Sequence, residues 1–152
     1  MDKNSLKNKL YKACLDFVEQ RAATVNEIMT SNQKSLESET KSSAGDKHET
    51  GRAMLQLEME KASHQLESIA HMKEILRKLN INDHPNSAKL GSLIFTSSGK
   101  YFLSIGLGAL KIGSDQIYVI SSTSPIGALL TGKKEGESVF FNGKTILIQE
   151  IY

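Results

Sequence analysis

Asp46 and Glu49, within Gly45-Asp46-Lys47-His48-Glu49, are the residues of this sequence best suited to chemistry. Three apart at a helix start, the two carboxylates share one face and can converge on a single cation. Magnesium is commonly held by one or two carboxylates while keeping water and phosphate oxygens in the rest of its shell. Two carboxylates on an exposed turn bind a metal poorly alone, so the pair needs further ligands from elsewhere. The same spacing is that of a capping box, with Asp46 at the N-cap and Glu49 three residues on. On these five residues alone capping is the favoured reading, and the two roles are compatible. His48 reads as a solvated side chain. Lys41, Lys47 and Arg52 flank the pair, either as ordinary solvated charge or as contacts to phosphate. His64 and His71, seven apart, lie too far apart for joint ligation. Cys14, the only cysteine, sits on an apolar stripe and reads as core. One thiol excludes an internal disulfide and leaves too few for a zinc finger. Gly106-x-Gly108 is not followed by a helix of the kind a nucleotide loop needs.

The rest of the chain must position these groups. Its 152 residues, 39% apolar and 24% charged, have the balance of a folded soluble chain, not a disordered one. Nineteen Lys and Arg against 17 Asp and Glu are too even for non-specific nucleic-acid binding by charge. The longest apolar candidate, Tyr101 to Leu110, is half the roughly 20 residues of a membrane span. The N-terminus lacks the apolar stretch of a signal peptide. A cytoplasmic protein with no membrane partner is expected.

Residue usage changes near residue 83. Residues 1–82 hold no proline and two glycines, Gly45 and Gly51, whereas both prolines and the other nine glycines lie beyond. Apolar residues at Leu6, Leu10, Cys14, Phe17, Val25, Ile28 and Leu36 recur at mostly three- and four-residue spacing, with Arg21 and Asn32 filling two slots. A second series runs Leu55, Met59, Ala62, Leu66, Ile69, Leu76 and Leu79. Each is a heptad-like seam, and the polar stretch from Ser38 to Gly51 separates them. The pattern predicts an antiparallel helical hairpin over 1–82, with arms of roughly 30–38 residues spanning about 45–57 Å. Over 83–152, strand-like runs at Leu90–Thr96, Tyr101–Ile105, Gln116–Ser121, Ser138–Phe141 and Thr145–Ile151 predict a small antiparallel sheet. Asn142-Gly143 signals a type I′ hairpin, and Pro125 to Leu130 a short helix with proline in its first position. The class is α+β.

The segment Ser124-Pro125-Ile126-Gly127-Ala128-Leu129-Leu130-Thr131-Gly132-Lys133-Lys134-Glu135-Gly136-Glu137-Ser138-Val139 resembles the C-terminal signature of the bacterial Gre transcript-cleavage factors. The closing Thr145-Ile146-Leu147-Ile148-Gln149-Glu150-Ile151-Tyr152 is similar to that family's last strand. The family's Gly-Asp-x-x-Glu at a coiled-coil tip is matched by Gly45-Asp46-Lys47-His48-Glu49. Its architecture, an antiparallel coiled coil followed by an FKBP-like sheet domain, agrees with the two halves read above.

The resemblance implies a transcription elongation factor that binds RNA polymerase through Thr123, Ser124, Pro125 and Ile126. Its tip would enter the secondary channel and stimulate cleavage of backtracked RNA. Asp46 and Glu49 would hold a catalytic Mg2+ jointly with the polymerase, and Lys41, Lys47 and Arg52 would contact the nascent RNA 3′ end. A monomer is expected, and one that is not itself an enzyme. The family usually continues its tip with Asn-Ala-Glu-Tyr; here Thr50-Gly51-Arg52-Ala53 follows, lacking a second acid and an aromatic. That departure favours an alternative, a regulator of the same fold that modulates polymerase without cleavage. A prolyl isomerase needs an aromatic-lined pocket, which nine aromatics and no Trp disfavour. A purely structural coiled coil is disfavoured by Arg21 and Asn32 in the first seam.

Overall fold

Asp2 starts the first helix. Its Oδ1 accepts from the Asn4 N–H and its carbonyl from the Leu6 N–H, both at 3.0 Å. The computed structural model describes the backbone of residues 2–41 and 45–152, and the side chains of residues 2–38 and 50–152. Helix α1 (Lys3–Lys41) and helix α2 (Gly45–Lys78) pack together as a hairpin. Neither interior contains proline, and Arg77 and Lys78 close α2 with the sign of charge its C-terminus favours. Among the described residues, no helix is long and apolar enough to cross a membrane.

The seam follows the expected spacing with a change of residues. On α1 the buried positions are Leu6, Leu10, Cys14, Val18, Ala22, Val25 and Asn32, and on α2 Ala62, Ile69 and Leu76. Val18 and Ala22 therefore take the slots expected for Phe17 and Arg21. Arg21 is exposed, its guanidinium 5.7 Å from the Phe17 ring centroid. Ile28 is exposed as well. α1 carries two adjoining heptad stripes, and the smaller side chains are the ones that let α2 approach.

Six strands form one sheet: β1 (Leu93–Thr96), β2 (Gly99–Ser104), β3 (Gly108–Ile112), β4 (Asp115–Ser121), β5 (Ser138–Phe141) and β6 (Lys144–Ile151), in the order β3-β4-β2-β1-β6-β5. The sheet is mixed rather than wholly antiparallel, because β2 and β4 run parallel. The physical reason is β3, a strand the sequence pattern did not announce. It pairs antiparallel with β4 at the sheet edge, so the chain reverses twice between β2 and β4 and regains its direction. Asn142 (φ 51°) and Gly143 (φ 75°) both have the positive φ of a type I′ turn, as expected.

Helix α3 (Pro125–Leu130) lies between β4 and β5 in sequence. Its Ile126 and Leu130, four apart, join Ile94, Leu103, Val139, Ile146, Ile148 and Ile151 in one core. The alternate residues of β1 and β2 face the first turns of α1. Ser104 donates to Cys14 Sγ at 3.7 Å, and Lys3 Nζ stands 4.4 Å from the Phe95 ring centroid. Burial pushes the Cys14 thiol up, which keeps it protonated and inert. Lys7 is buried too. Its ammonium donates to the Asp83 carbonyl at 3.2 Å, and desolvation draws its pKa below 10.5 against the attraction of Asp83.

The chain divides into two compact units. One comprises Met1–Leu15 with Glu74–Tyr152, so the lowest turns of both hairpin helices belong with the sheet. The other is Asp16–Lys73, the remainder of the hairpin.

Candidate functional site

α2 opens at Gly45, four residues after α1 closes at Lys41. The sequence motif therefore falls at the start of the second helix, where a carboxylate complements the helix dipole. The side chains of Lys41, Asp46, Lys47, His48 and Glu49 lie outside the described residues. Arg52, further along α2, is exposed and makes no ion pair among the described residues. Elsewhere His64 Nδ1 lies 3.8 Å from Glu67 Oε2. Among the described residues no group of three or more His, Cys, Asp or Glu is placed to hold a metal ion.

The second set of residues, Thr123 to Ile126, is built as a helix cap. Ser124 sits at the N-cap of α3 in an extended conformation (φ −67°, ψ 158°), and Pro125 follows in the first turn. The Ser124 hydroxyl does two jobs. It accepts from the Gly127 N–H at 3.1 Å and donates to the Ser121 carbonyl at 2.6 Å. Thr123 is fixed by Ser121, whose Oγ accepts from the Thr123 N–H at 3.1 Å and lies 2.8 Å from Thr123 Oγ1. At the other end of the helix the Gly127 carbonyl accepts from both the N–H and the hydroxyl of Thr131, at 3.0 and 2.7 Å.

The four residues thus divide by role. Thr123 and Pro125 present surface, with Ala128 and Leu129 exposed beside them on α3. Ser124 spends its hydroxyl on the cap. Ile126 is buried in the core, so it supports the surface from beneath rather than touching a partner.

Comparison with known proteins adds no relative. No family model matches the chain, and no curated protein matches it.

Two features of this site escaped the sequence reading. Gly127 is required for its missing Cβ: a Cβ there would lie 2.0 Å from the Ser121 carbonyl oxygen and 2.8 Å from Ser124 Oγ. Glycine in a six-residue helix, two residues past proline, was the available signal. The second feature is the loop from Gly132 to Glu137. Glu137 Oε1 accepts from the Lys134 N–H at 2.8 Å, and Glu135 Oε1 from the Ile151 N–H at 2.9 Å. Gly132 and Gly136, at φ 85° and 89°, make the turns. Both carboxylates are committed to backbone donors.

Proposed function

We propose that this chain is a Gre-type transcription factor that docks on RNA polymerase and promotes Mg2+-dependent cleavage of backtracked RNA. The observation that carries the reading is the coincidence of motif and element. Gly45-Asp46-x-x-Glu49 begins where the hairpin's second helix begins, on a chain whose sheet domain displays Thr123 and Pro125 at a helix cap. The sheet domain provides attachment, through the surface of Thr123 and Pro125 on the platform of Ser124 and Ile126. The hairpin provides reach.

Asp46 and Glu49 are oxygen donors of the kind magnesium accepts, and two of them leave room for water, phosphate and the polymerase's own ligands. When held there, the ion stabilises the attacking and leaving oxygens of phosphodiester hydrolysis. Lys41, Lys47 and Arg52 offset the charge of the RNA 3′ end. In this reading the chain alone is no nuclease. A second reading, a polymerase modulator without cleavage, is favoured by Thr50-Gly51-Arg52-Ala53, which puts an exposed cation in place of a further acid and an aromatic.

The test is RNA cleavage in a stalled, backtracked polymerase complex, with and without the protein. Asp46→Asn and Glu49→Gln each remove one charge and keep the shape. Cleavage is expected to fall tenfold or more, about 1.4 kcal/mol of transition-state stabilisation, while polymerase binding persists. Wild-type protein that alters elongation without cleavage would establish the modulator. Variants that only melt earlier, with cleavage intact, would make Asp46 and Glu49 caps.

A further inference from the structure

At about 100° per residue, the α1 residues Phe17, Arg21, Thr24 and Ile28 form a stripe beside the seam rather than in it. With Gln65 of α2 they line a groove of about 420 Å³ within the Asp16–Lys73 unit. α2 turns Met54, Leu57, Lys61 and Met72 to the same side. Ile28, Met54 and Leu57 are 44, 61 and 65% exposed, unlike ordinary surface on a helix whose other flank bears Glu60 and Glu67. A helix with two heptad stripes has the pattern of one that packs against two neighbours. The chain supplies only one.

We propose that this side of the hairpin is covered by the same side of a second copy, giving an antiparallel four-helix association. Two observations select a second copy. First, the stripe is self-complementary. Its spacing of four, three and four reads the same in both directions, so an antiparallel copy sets Phe17 against the second copy's Ile28 twice. Arg21 then meets Thr24 twice, as a two-fold interface requires. Second, the charges complement one another. In that register Glu27 at the rim comes beside the second copy's Gln20 and Arg21. Neither Glu27 nor Arg21 has an ion-pair partner among the described residues of its own chain. The interface is small, so the association is reversible. It does not depend on the reading of the chain as a polymerase factor.

Sedimentation equilibrium of the full chain tests this from about 10 µM to about 500 µM, the range in which small interfaces saturate. The expected weight-average mass rises above the 16.7 kDa of one chain with concentration. Ile28→Glu should weaken association at least tenfold with helicity unchanged. Arg21→Glu should weaken it also, and Arg21→Glu combined with Glu27→Arg should restore it, which lost packing alone would not do. Phe140→Glu, at the exposed apolar residue of the sheet edge, should have no effect. A mass of 16.7 kDa across the whole range overturns the proposal. So does association abolished by Phe140→Glu but not by Ile28→Glu.

Discussion

Replacing Gly127 by alanine adds one methyl group at the foot of the Thr123–Pro125 surface. That methyl would stand 2.0 Å from the Ser121 carbonyl oxygen, so backbone rather than a mobile side chain must retreat by more than about 1 Å. The same carbonyl accepts from the Ser124 N–H at 3.1 Å and from the Ser124 hydroxyl at 2.6 Å. Retreat therefore dismantles the cap as well as the packing. Overpacking costs about 1–3 kcal/mol and a lost cap about 1 kcal/mol, together about 2–4 kcal/mol. For a chain of this size that is a fall of about 5–15 °C in Tm, measured by far-UV circular dichroism. Ser124→Ala alone should cost only the cap, about 1 kcal/mol. The double variant separates the two causes. If the clash is with the Ser121 carbonyl, adding Ser124→Ala to Gly127→Ala recovers nothing. A Gly127→Ala protein melting within about 1 °C of wild type, or a double variant restored to the Ser124→Ala level, would refute this account.

Asn32→Leu should raise stability by about 1–2 kcal/mol in urea unfolding, because the buried Asn32 Nδ2 has no partner in the seam; a lower midpoint would contradict it. Lys7→Met should flatten the alkaline side of the stability profile. In the wild type the unfolded chain binds the Lys7 proton up to its ordinary 10.5 while the fold releases it earlier, so stability rises with pH between the folded value and 10.5; parallel profiles for the two proteins would discount the buried charge. Lys100→Met should lower stability at neutral pH but not in acid. The Lys100 hydrogen bond holds the Asp115 carboxyl below 3.8, a contribution present above 3.8 and lost as pH falls through the folded value, so the two urea midpoints should converge near about pH 2.

The hairpin was legible because its signals are local. A long stretch without proline, periodic aliphatics and a polar break specify two helices before any tertiary contact exists. α3 was legible from Ser124-Pro125, and the β5–β6 turn from Asn142-Gly143, since both follow from backbone preferences of single residues. β3 was not. Gly108–Ile112 is an edge strand with its alternation muted by exposure, and its evidence is its pairing with β4, fifteen or fewer residues away in the chain but invisible to periodicity. The parallel β2–β4 pair was lost with it. Phe17 and Ile28 were expected in the seam because larger apolar residues outrank Val18 and Ala22 in any hydropathy pattern, whereas close helix approach favours the smaller ones. Lys7 read as solvent-facing, since only the tertiary fold places Asp83 over it. The candidate tip chemistry rests on residue types and on where α2 begins.

The distribution of apolar side chains along α1 also says where the fold draws its stability. In the unit that contains the sheet, Leu6, Leu10, Cys14 and Leu76 are buried, and each large aliphatic contributes about 1.5–3 kcal/mol. In the Asp16–Lys73 unit the buried seam is Val18, Ala22, Val25, Asn32, Ala62 and Ile69, where two alanines and one amide with an unpaired donor contribute little. The large side chains of that unit, Phe17, Ile28, Met54 and Leu57, are the ones the seam leaves partly or largely exposed. A hairpin selected only for its own stability would exchange the two sets. Small residues in the seam allow close approach of two helices, and large residues outside it serve contacts that the isolated hairpin does not make. The cost in local stability is accordingly greatest where a second surface has the most apolar area to cover.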